Sequence, residues 1–193
     1  MSEEQGPSIA GTRLDRARYL HLMDLDHEAM VAAALAAPTA PVPGCPDWDM
    51  RALISHVIGV YRHKIVVLDT GAEPEGDGED GWGQLADDDD PVVILRSTYQ
   101  DLRTRLAAGS LDSAIWSWWT PEQTLGFWVR RMAHETSVHR WDAESAAVGV
   151  AGAQDFPDDL AADGVDELLG WLRWEWPPEH AQVGAQGQRV LVT

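Results

Sequence analysis

The chain has 193 residues, 45% of them hydrophobic, which is enough for one domain with a sizeable core. Its formal charge is -18, from 32 acidic against 14 basic residues. Like-charge repulsion therefore argues against nucleic acid and anionic membranes as partners, though not against a small anion held in a locally positive pocket.

Cys45 is the sole cysteine, the N-terminus is polar and acidic, and no apolar run is long enough to span a bilayer. These features predict a cytoplasmic protein without disulfides, present as a monomer or homodimer. Residues 1–11 read as a disordered lead-in. A first helix is predicted over Thr12 to Ala37, ended by Pro38. Its row Tyr19, Met23, Asp26, Met30, Ala33 and Ala37 advances in steps of four and three, with Asp26 as the polar break. The Pro-rich connection PTAPVPGCPDWD offers Asp47 or Asp49 as the cap of a second helix, which runs to about Asp69. One of its rows is Leu53, His56, Val60, His63 and Val67, and the broad apolar coverage predicts a central, buried helix. The acidic stretch TGAEPEGDGEDGWGQLADDDD lacks the alternating carboxylates of a calcium loop and reads as a solvated loop or a pocket lid. Asp90 followed by Pro91 marks the start of a third helix carrying Val92, Leu95, Tyr99, Leu102 and Leu106.

After the Trp-rich connection GSLDSAIWSWWTPEQ, a fourth helix is predicted from Pro121 to Val148. Its core row is Leu125, Trp128, Met132, Glu135, His139, Asp142 and Ala146. A fifth helical segment spans Pro157 to Trp174, and the closing QRVLVT reads as a short strand. The fold class expected is all-α: a four-helix bundle over residues 12–150, followed over 151–193 by an extra helix and the start of a further unit.

The stretch RRMAHETSVHRWDAESA, residues 130–146, tests a metalloprotease reading and rejects it. That motif needs two histidines four apart, whereas His134 and His139 are five apart. Five residues rotate a helix by about 500°, leaving the side chains about 140° apart. Glu135 and His139 are four apart and share a face, the one that should be buried. Glu135, His139 and Asp142 in succession on a core row demand partners. His56 on the second helix completes a three-donor set that leaves a position open for water or substrate. Two bland readings stand beside it: a core histidine held by a hydrogen bond, and a plain Arg131–Glu135 ion pair. Two histidines and one carboxylate also suit non-heme iron. Asp142, one turn from His139, can orient its imidazole. Asp26 can bond a ligand, a water or the backbone, and Arg131 or Arg62 can hold a substrate carboxylate or form ion pairs. His63 is two turns from His56, too far to share an ion, and His134 should point away. Cys45, just before a helix start, is either a favoured thiolate or a small buried hydrophobe. Trp116, Trp118 and Trp119 are candidates to wall a pocket.

Two blocks carry a resemblance: VPGCPDWDMRALISHVIGVYRH, residues 42–63, and WVRRMAHETSVHRWDAESA, residues 128–146. Both resemble the mycothiol-dependent maleylpyruvate isomerase family, within the wider DinB-like helical bundles. The resemblance implies a divalent metal, zinc, on His56, Glu135 and His139, with mycothiol as thiol cosubstrate. It also implies a small electrophile, such as an unsaturated keto acid, that undergoes cis–trans isomerisation or thiol addition or transfer. Members of this family carry a C-terminal α/β domain, of which only a truncated stub is expected here. A metal-binding bundle without catalytic activity is therefore the alternative.

Overall fold

The computed structural model describes residues 13–75 and 79–173. The lead-in expected at 1–11 and the strand and domain stub expected near the C-terminus lie outside the described residues. Within them are five α-helices: α1 over Arg16–Ala36, α2 over Met50–Thr70, α3 over Pro91–Ala107, α4 over Leu125–Val148 and α5 over Asp158–Arg173. The fold is all-α, as the three–four periodicity requires.

Helix starts follow the side-chain caps. Asp15 accepts from the Arg18 amide at 2.7 Å and Asp49 from the Ala52 amide at 2.8 Å. Asp90 takes the Val92 and Val93 amides, with Pro91 in the first turn, where its missing N–H costs nothing. Two predicted boundaries are corrected. The first helix starts after Asp15 rather than at Thr12, because Asp15 supplies the cap. The fourth starts at Leu125 rather than Pro121. There the chain first doubles back on the Trp-rich connection: Ile115 donates to the Gln123 carbonyl at 3.1 Å and Leu125 to that of Ser113 at 2.9 Å. Thr124 then caps α4 through the Phe127 amide.

α1 lies mainly along α4, and α2 mainly along α3. The core between them is formed by residues such as Met23, Met30, Leu53, Ile58, Tyr61, Leu102 and Trp128, all of them buried. The seam between α2 and α4 is pinned by a buried bond of 2.8 Å between the Tyr61 and Thr136 hydroxyls.

The acidic segment is largely exposed, as expected of a solvated loop, but Trp82 and Gly83 dock on α2. Glu79–Gly83 forms a short 3-10 turn seated on α2. The Ser55 hydroxyl donates to the Gly83 carbonyl, Arg62 to that of Trp82 at 3.0 Å, and the Trp82 ring meets His63 edge-on at 5.8 Å. A Cβ at Gly83 would lie 2.4 Å from the Ser55 carbonyl oxygen, so only glycine fits this approach.

Candidate metal centre

The α2–α4 seam brings His56, Glu135 and His139 together, with one donor atom from each inside a 4.8 Å cluster. Four-residue spacing on α4 sets Glu135 and His139 one above the other, and His139 Nε2 lies 3.0 Å from Glu135 Oε1. His56 enters from α2, its Nε2 4.0 Å from the same carboxylate oxygen. The two imidazoles meet at 5.0 Å between centroids. Trp48, in the turn before α2, packs its ring 4.9 Å from that of His56. Sequence reasoning did not assign Trp48, although it stands in the quoted PGCPDW block, eight residues before His56.

Each α4 donor is held from behind. Asp142 Oδ2 lies 3.0 Å from His139 Nδ1, which turns Nε2 toward the cluster. Arg131 donates to Glu135 Oε2 at 3.2 Å, leaving Oε1 facing the histidines. The ion pair and the cluster are therefore two faces of one carboxylate. Burial works to raise the Glu135 pKa, but the bond and charge from His139, then Arg131 and His56, hold it below the carboxylate range. Burial works to lower the His139 pKa, yet the bonds to Asp142 and Glu135 raise it above the ordinary imidazole value. The position between these two carboxylates thus favours positive charge.

The other candidates are placed as follows. Asp26 accepts from Arg140 Nε at 3.1 Å, a buried ion pair between α1 and α4. Arg131 reaches across to α5, where it donates to Glu167 and lies over the Trp171 ring. His134 turns to α5 and bonds Asp163 at 2.7 Å. His63 Nδ1 lies 3.1 Å from Lys64 Nζ, away from the cluster. Burial, then the charge of Asp142, pushes the Cys45 thiol up, which opposes thiolate formation.

Beside Glu135 opens a cavity of about 280 Å³, walled by Trp118, Trp128 and Trp171 with Lys64 and Arg131. Trp118 thus lines a pocket, while Trp116 accepts the Trp128 indole N–H through its carbonyl at 2.7 Å.

Helices α1–α4 with a His–Glu–His cluster across their seam define a DinB-like bundle. The family model described as mycothiol maleylpyruvate isomerase N-terminal domain matches residues 23–144, more than half of the chain. The chain belongs to that family. No curated protein and no solved structure gives a match. Among the described residues, no helix is long and apolar enough to cross a membrane.

Proposed function

We propose that this protein is a metal-dependent, mycothiol-dependent enzyme whose divalent ion, zinc, is held by His56, Glu135 and His139. It acts on a small electrophile such as an unsaturated keto acid, by cis–trans isomerisation or by thiol addition or transfer. The observation that carries this reading is the 4.8 Å cluster of two imidazoles and one carboxylate beside a cavity. The donor set fits the ion: two imidazole nitrogens and a carboxylate oxygen, with outer partners already in place, leave room for a further ligand. When bound, a divalent ion favours thiolate over thiol and polarises a substrate oxygen.

The remaining work falls to the chain. Asp142 occupies the Nδ1 side of His139, so Nε2 is the atom that would face an ion once its proton is lost. Arg131 orients Glu135, and Lys64 lines the same cavity as a cation that would suit a carboxylate.

The test is elemental analysis of protein purified without added metal, alongside His56→Ala and Glu135→Ala, followed by turnover assays with mycothiol. Near-stoichiometric zinc in wild type, lost in both variants, and thiol-dependent turnover support the reading. Iron in place of zinc redirects it to oxygenase chemistry. Stoichiometric zinc without turnover leaves a metal-binding module.

A further inference from the structure

The family match ends at residue 144, and α5 lies beyond it, yet α5 reaches Arg131, the residue that bonds Glu135. Two α5 side chains enclose Arg131: Glu167 accepts from its Nη1, and the Trp171 ring lies 5.2 Å from its guanidinium carbon. Glu167 is 5% exposed. The other guanidinium nitrogen, Nη2, donates to Glu135 Oε2 at 3.2 Å. One guanidinium is thus shared between an α5 carboxylate and the carboxylate of the cluster.

We infer that Glu167 is a positioning residue for the metal centre, acting through Arg131 to set how strongly Glu135 holds the divalent ion. This rests on the metal-site reading above. A guanidinium bonded to Glu135 competes with an ion for the same electron density. Glu167 offsets the arginine's charge and draws it toward α5, leaving Glu135 a stronger donor. Without the Glu167 charge, Arg131 bears on Glu135 alone. Outer partners of metal ligands change affinity by about 10–100-fold. One step further out, Glu167 should act near the lower end of that range.

A neighbouring carboxylate supplies the control. Asp166 sits on the same helix and bonds Arg130 at 3.0 Å. Its loss loosens α5 without altering the Arg131–Glu135 pair.

The experiment is zinc affinity by competition with a chromophoric chelator on the full chain, with helix content followed by circular dichroism. Glu167→Gln should bind zinc about tenfold more weakly, and Asp166→Asn should match wild type. In an Arg131→Gln background, adding Glu167→Gln should change affinity less than twofold. A purely structural role for Glu167 would lower the melting temperature without this dependence on Arg131. If Glu167→Gln does not fold, Glu167→Asp keeps the charge while withdrawing it by one methylene, and should give a smaller loss. The inference is overturned if Glu167→Gln binds within twofold of wild type, if its loss persists undiminished without Arg131, or if Asp166→Asn loses as much. Failure of wild type to bind zinc is a different result, and overturns the metal reading itself.

Discussion

Asp142 offers the sharpest test of how the cluster is held. Its Oδ2 lies 3.0 Å from His139 Nδ1, and its side chain is 12% exposed, so solvent replaces it poorly. Asp142→Asn keeps the shape and an accepting oxygen but removes the charge. A hydrogen bond to a charged partner is worth about 1.5–3 kcal/mol, against about 0.5–1.5 for a neutral one. The midpoints of these ranges differ by about 1.2 kcal/mol, which is about eightfold in affinity. Asp142→Ala removes the acceptor altogether and should approach the upper end of the 10–100-fold range known for such partners. Chelator competition at neutral pH measures both. Thermal melts with and without saturating zinc give a second readout, because ligand stabilisation falls by the same free energy. Affinities for both variants within twofold of wild type would refute the argument and leave Asp142 a packing residue.

Three further outcomes follow from the fold. His27 is buried, stacked on Tyr99 at 3.9 Å, and burial pushes its pKa from 6.5 to about 4. A depressed histidine stabilises fully above pH 6.5 and loses that contribution as pH falls toward 4, a change of roughly 3 kcal/mol; His27→Phe should flatten the limb in urea titrations across that window. Gly83→Ala drives a methyl into the Ser55 carbonyl and should cost about 1–3 kcal/mol by urea unfolding. Arg130→Met takes the guanidinium from the fully buried Asp163, which burial pushes up while bonds from His134, Tyr19 and Arg130 hold it down. It should cost about 3–5 kcal/mol and speed hydrogen exchange in Asp158–Arg173 ahead of the bundle.

The fold was legible where one local rule governed. Asp90 announced α3, and Asp47 or Asp49 announced α2, with Asp49 taking the cap, because a carboxylate before an apolar-periodic run satisfies orphan amides. The rows through Leu95, Tyr99 and Leu102 and through Trp128 and Met132 are buried as their spacing requires. The meeting of His56 with Glu135 and His139 was readable because polar residues on core rows must find one another across a bundle. What was hidden depended on tertiary contact. The delayed start of α4 comes from pairing with residues 111–115, which no window around Pro121 contains. The docking of Trp82 and Gly83 turns on backbone approach, which an acidic composition masks. Asp26 looked available to a ligand because its partner, Arg140, lies on a different helix. Arg131 looked like a local ion-pair member because Glu167 and Trp171 sit on a helix whose docking face was unknown.

The α2–α4 seam has a kinetic consequence. Its buried hydroxyl pair, Tyr61 and Thr136, is separated by 75 residues of chain. α3 lies between them in sequence, so much of the closure entropy is spent before the pair forms. Helices form in isolation far faster than such distant partners meet. The His56, Glu135 and His139 donors sit on the same seam, so the expected outcome is that they come together late in folding rather than on a preassembled hairpin. Stopped-flow refolding in the presence of a chromophoric zinc chelator would then show helix signal recovering first and zinc leaving the chelator afterwards, which makes ion capture a clock for closure of the bundle.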